Sequence, residues 1–183
     1  MIMTIAELRQ FITTDETDQV LEAKLQALEL LIRAYTNNNF QVRAFRAVAS
    51  AVSSGHKLIV ADAAKFKAGD TLQITESALN EGLVNVRTSS NGELAVKETL
   101  YDEAKVVITK VVYPLDVKMG VVNMLKWELD NRDKVGIASE TISRHSVTYF
   151  NMDAGNSTMG FPSSILGFLK PYKKARFGKG LSV

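Results

Sequence analysis

The chain has 183 residues, 46% hydrophobic and 23% charged, with a formal net charge of +2 at pH 7. That length suits one large domain or two small ones and supports a core without covalent staples. With no cysteine, disulfides, thiolate nucleophiles and cysteine zinc sites are excluded, and the near-balanced charge gives no global argument for nucleic acid.

The N-terminus lacks a basic segment followed by an apolar run, so no signal peptide is expected. No apolar stretch approaches transmembrane length, and no membrane partner is expected. Thr4 to Glu7 has the T-x-x-E form of a capping box, with Ile5, Leu8 and Ile12 behind it. A short helix ending near Thr13 is predicted. Thr14 to Asp18 is polar and acidic, suiting a turn and a helix start. Leu21, Leu25, Leu28, Ile32 and Tyr35 then mark a second amphipathic helix. It should stop at Asn37-Asn38-Asn39, because asparagine tolerates left-handed backbone.

From Phe40 the pattern becomes strand-like. Alternation over Phe40 to Val52 is imperfect, but short apolar runs at Lys57–Ala61, Thr71–Thr75, Leu83–Arg87, Leu94–Val96 and Val106–Val112 follow, separated by turn residues. Asn91-Gly92 is the strongest hairpin signal. Short strands at this spacing predict a small antiparallel barrel or sandwich.

Tyr113-Pro114 disfavours helix before the proline. Asp116 is expected as an N-cap. Leu115, Met119, Val122, Leu125 and Leu129 then share one face of a long helix reaching about Lys134. Val121, Met124 and Trp127 widen its apolar surface, so more than one neighbour should cover it. Gly136 to Thr141 reads as a connection, Ser143 to Phe150 as strand-like, and Asn151 to Gly160 as an exposed loop. Pro162 suits the start of a last short helix over Ser163–Leu169, ended by Pro171. The tail then carries Lys173, Lys174, Arg176 and Lys179, interleaved with Tyr172 and Phe177. Aromatics so placed anchor on a surface while the cations meet acids or phosphate.

The expected fold class is α+β. A helical core (two N-terminal helices, one long central helix, one short C-terminal helix) spans 1–39 and 113–183, with an extended loop at 143–160 and a basic tail at 172–183. An inserted small antiparallel β-barrel or sandwich module spans 40–112.

Few residues suggest chemistry. His56 and His145 lie in unrelated settings, and His145 beside Ser143 and Ser146 has no nucleophile elbow. No metal-ligand spacing and no phosphate-binding glycine loop occurs. Asp102 and Glu103, beside Lys105, read as a solvated pair. Arg43 and Arg46 suit a solvated strand face. No catalytic, cofactor-binding or metal residue is expected, and the chain is not read as an enzyme. The alternative function drawn from the β module is an OB-like nucleic-acid-binding protein, though its strands lack interleaved aromatics.

Several segments in order resemble the head–tail connector (adaptor) proteins of tailed bacteriophages. They are Ala34-Tyr35-Thr36-Asn37, Tyr113-Pro114-Leu115-Asp116-Val117, Thr141 to Tyr149, Gly160-Phe161-Pro162 and Leu169-Lys170-Pro171-Tyr172. The β module, with Phe66 to Thr71 and Asn80-Glu81-Gly82, is similar to an insertion carried by longer members. The resemblance implies a structural virion protein, assembled in the host bacterial cytoplasm and located at the head–tail interface. It implies a ring of roughly a dozen copies with cyclic symmetry, seated beneath the portal protein. That ring would extend the DNA channel toward a tail-side stopper or tail-completion protein, with no sequence-specific DNA contacts. On this footing Tyr172, Lys173, Lys174, Arg176 and Phe177 are expected to bind the portal. Arg144, His145, Tyr149 and Phe150 are expected on a channel or inter-subunit loop.

Overall fold

Left-handed turn residues stand in every connection but the last between six strands: β1 (Gln41–Val52), β2 (Lys57–Val60), β3 (Thr71–Thr75), β4 (Gly82–Ser90), β5 (Glu93–Val96) and β6 (Glu103–Val111). The computed structural model describes residues 1–131, 139–142, 145–148 and 155–175. The strands close into an antiparallel barrel in the order β1-β2-β5-β4-β3-β6. The fold is therefore mixed helix and sheet, with a barrel where barrel or sandwich was expected. Six strands is one more than an OB-fold uses. Asn91 (φ 47°) and Gly92 (φ 80°) form the two-residue β4–β5 turn, with Ser90 opposite Glu93. Positive φ at both positions is what the asparagine–glycine pair provides.

The barrel interior holds Leu58, Leu72, Ile74, Leu94, Val106 and Ile108, with Phe66 buried among them. β1 contributes Ala49 and Ala51 to this core, while Val48 is 58% exposed. A barrel of eight strands is just wide enough for side chains to fill. In this narrower one, small residues on β1 leave room for Leu58 and Ile108. The ladder between β1 and β6 jumps from Gln41↔Val111 to Arg46↔Thr109, so Val42–Phe45 form an irregular stretch.

The chain separates into two compact units: Met1–Thr4 with Asn39–Tyr113, and Ile5–Asn38 with Pro114–Val183. In the second, α1 (Ile5–Leu8) is shorter than predicted. After Arg9 N–H bonds Ile5 C=O, the next amides turn to carbonyls three residues back (Gln10 to Glu7, Phe11 to Leu8), which tightens and ends the helix. α2 (Asp18–Thr36) starts at Thr17, whose hydroxyl accepts from Val20 N–H at 3.4 Å. It ends as the asparagines predict. Asn37 is left-handed (φ 50°, ψ 36°), and Asn38 N–H returns to Arg33 C=O at 3.2 Å.

α3 (Leu115–Asn131) departs from its predicted start. Pro114 C=O closes the first turn by accepting Lys118 N–H at 3.1 Å, so Asp116 lies inside the helix rather than at its cap. The buried face also differs. Val117, Gly120, Val121, Val122, Met124 and Leu125 are covered, whereas Leu115 is 78% and Met119 40% exposed. Gly120 explains part of the shift. Its backbone packs on the Phe168 ring, whose edge occupies the space a methyl group would need. Phe168 belongs to a 3₁₀ helix, Ile165–Tyr172, which includes Pro171 rather than stopping before it. Lys173 N–H closes its end on Lys170 C=O.

Trp127 packs against Phe161, ring centroids 5.4 Å apart. Phe161 lies on a two-residue strand, β10 (Phe161–Pro162), paired with β9 (Ser157–Thr158). Upstream, β7 (Ser139–Ile142) pairs with β8 (His145–Thr148) from Ser139↔Thr148 to Ile142↔His145. Part of the expected connection at 136–141 is thus a strand, β8 falls within the segment Ser143 to Phe150 read as strand-like, and the expected loop at Asn151 to Gly160 contains the short strand β9.

Candidate assembly surfaces

The 3₁₀ helix does not release the chain into solvent when it ends. Tyr172 hydroxyl donates to Asp116, 2.8 Å from both carboxylate oxygens. Tyr172 C=O accepts from Asn38 Nδ2 at 3.2 Å, and Lys174 N–H donates to Thr36 C=O at 2.8 Å. Asn37 Nδ2 donates to Ala175 C=O at 2.9 Å. Lys173 Nζ sits 3.8 Å above the Tyr35 ring, a cation–π contact of about 0.5–1 kcal/mol at an exposed site. The C-terminal end of α2 therefore holds residues 172–175 as a strap. The Asp116 hydrogen bond, burial and the carboxylate charge together hold the Tyr172 phenol above its ordinary value of 10.0.

A cleft of about 640 Å³ opens at the other end of α2. Phe11 and Leu129 supply apolar walls, and Asp15, Glu16 and Asp130 supply carboxylates, with Lys126 the one cation of the lining among the described residues. The turn before α2 is held by Arg9. Its guanidinium donates to Thr14 C=O at 3.4 Å and Glu16 C=O at 2.9 Å, and pairs with Asp18 at 2.6 Å. The side-chain carboxylates of Asp15 and Glu16 have no partner among the described residues. Lys24 and Glu128 bridge α2 and α3 at 3.5 Å near the same end.

The acid pair read as solvated has a structural task. Asp102 accepts from Ser53 N–H at 2.7 Å and Ser53 Oγ at 3.1 Å, fastening the β1–β2 turn. Glu103 accepts from Ser77 Oγ, Ala78 N–H (2.7 Å) and Asn80 Nδ2 (2.6 Å), fastening the loop after β3. These donors hold both carboxyls below their ordinary values: the Ser53 amide first for Asp102, the Ser77 hydroxyl first for Glu103. Arg46 pairs with Glu76 at 2.9 Å, and His56 Nδ1 accepts from Leu100 N–H at 3.3 Å.

Of the residues expected at the portal, Tyr172, Lys173 and Lys174 are described, and all three lie in the strap; Arg176 and Phe177 lie outside the described residues. Of the expected loop residues, His145 begins β8, while Arg144, Tyr149 and Phe150 lie outside the described residues. Nothing in the residue pattern marked Asp116 as the partner of Tyr172, 56 positions away. The acidic turn at 14–18 was visible, but not that Phe11 and α3 complete a cleft with it. Among the described residues no group of three or more His, Asp or Glu side chains is placed to hold a metal. Nor, among them, is any helix long and apolar enough to cross a membrane. In comparisons with known proteins, no family model and no curated sequence matches the chain.

Proposed function

We propose that this chain is a structural subunit that associates with copies of itself into a ring, acting as a head–tail connector of a tailed bacteriophage virion. In this reading the helices at both ends of the chain form the ring body, and the barrel is a module inserted between them. The ring docks beneath the portal, extends the DNA channel and meets a tail-side stopper. The observation that carries the self-association is the apolar surface on α3. Leu115 and Met119, one helical turn apart, are 78% and 40% exposed. Covering such a surface with a second copy gains about 25 cal/mol per Å² of apolar area removed from water. The ordered sequence segments shared with the connector family supply the rest of the reading. Because the Tyr172 and Lys173 side chains already make contacts within the subunit, Lys174 is the described tail residue whose side chain this reading leaves to the portal.

The test is native mass spectrometry and negative-stain imaging of the purified chain across a concentration series. Closed rings of one size are the expected result, with Leu115→Ser and Met119→Ser lowering the ring fraction. A chain that stays monomeric at all concentrations, alone and with portal protein, overturns the proposal.

A further inference from the structure

The strap and the cleft occupy opposite ends of one helix. Ala175 is held at Asn37, just past the C-terminus of α2, while Asp15 and Glu16 immediately precede its N-cap, Thr17. α2 has 19 residues, so the two places are about 28 Å apart along its axis at 1.5 Å per residue. Arg176 and Phe177 are one and two residues beyond Ala175. Main chain advances at most about 3.6 Å per residue, so two residues of chain span at most about 7 Å, far short of the distance to the cleft of the same chain.

Their chemistry nonetheless matches it. Among the described residues the cleft offers Phe11 and Leu129 as apolar walls, with Phe11 44% exposed, and three carboxylates against the single ammonium of Lys126. Asp15 and Glu16 have no side-chain partner among the described residues. The segment after Ala175 offers a guanidinium, then an aromatic ring, then Lys179. An Arg–carboxylate pair beside an aromatic contact is the usual composition of an interface anchor.

We infer that Arg176 and Phe177 of one copy dock in the cleft formed by Phe11, Leu129, Asp15, Glu16 and Asp130 of the next copy. This rests on the self-associating reading above and gives it a direction. Strap end to cleft end is a heterologous, head-to-tail contact, and repetition of such a contact generates a ring where the rotation closes.

The experiment uses the full chain with Arg176→Glu, Glu16→Arg and the two combined, followed by native mass spectrometry, with circular dichroism confirming unchanged folding. Each single charge reversal should weaken assembly at least about tenfold, because it sets like charges together. The combined variant should recover assembly. Mixing the two single variants should likewise recover assembly, since the unchanged contact then alternates with the charge-swapped one. If wild type assembles and both single variants assemble equally well, the docking inference is overturned and the ring reading stands. If both singles fail and neither combination recovers, the inference is also overturned. Wild type that never associates overturns both.

Discussion

Tyr172 joins the end of the 3₁₀ helix to the first turn of α3 through one proton. The phenol must keep that proton to donate to Asp116. Its folded pKa is raised above 10.0. The stability it contributes is therefore fully present below pH 10 and is lost as pH rises through the higher folded value. Tyr172→Phe should remove that alkaline limb and leave the curve near neutrality lower but flat. Urea midpoints between pH 8 and 11 test this, and an unchanged alkaline slope would refute it. Glu103 works with the opposite sign. Its folded pKa lies below the ordinary 4.5, so its contribution is present above pH 4.5 and disappears as pH falls through the folded value. Glu103→Gln should flatten the acid limb of the barrel's stability between pH 2 and 5, read from the same kind of titration.

At the scale of elements, what local chemistry dictates was legible and what tertiary closure dictates was not. The end of α2 follows from three asparagines, and the β4–β5 turn follows from Asn91-Gly92. The two faces of β1 did not announce themselves. Valine is the better strand former, yet Val48 faces outward and Ala49 and Ala51 face the core, since barrel width rather than propensity decides. Ala51→Leu should destabilise by about 1–3 kcal/mol through overpacking. Val48→Thr should change stability by less than about 0.5 kcal/mol. Denaturant midpoints of the two variants test the assignment, and the reverse ranking would refute it.

The periodicity of α3 located a helix but put Leu115 and Met119 on the covered side, because hydropathy treats Gly120 as neutral. Gly120 is where Phe168 comes closest, and that contact selects the buried face. Gly120→Ala would gain about 1 kcal/mol of helix propensity. It should nevertheless lower stability by about 1–3 kcal/mol, because the Phe168 ring must move. In a Phe168→Ala background the same change should become neutral or stabilising. A double-mutant cycle measures the difference. The candidate surfaces were half legible. The basic-aromatic composition of the tail was plain, but its anchoring residues on α2 and the cleft at 11–16 and 126–130 require the folded backbone.

At the scale of the whole molecule, the second unit is built from two stretches of chain separated by the barrel. Both ends of the intervening stretch meet one residue: Asn38 bonds Tyr172 C=O, and Asp116, two residues past Pro114, accepts from the Tyr172 hydroxyl. Replacing residues 39–113 with a glycine–serine link of about four to six residues should therefore leave α2, α3 and the 3₁₀ helix assembled. Retention of a single cooperative helical transition by circular dichroism is the expected outcome, and loss of cooperativity would refute it.

The interruption also sets an order of events. Bringing α2 and α3 together across an unstructured stretch of 75 residues (39 to 113) carries a chain-closure penalty of roughly 4 kcal/mol. The barrel shortens that search, because Phe40 and Tyr113 lie ring to ring at 4.8 Å and Val112 N–H bonds Phe40 C=O at 3.0 Å. Once this clasp forms, the helices emerge from neighbouring points and their union becomes a local encounter. During refolding the sheet signal should precede full helical signal, and loosening the clasp with Phe40→Ala should delay the helices rather than the sheet.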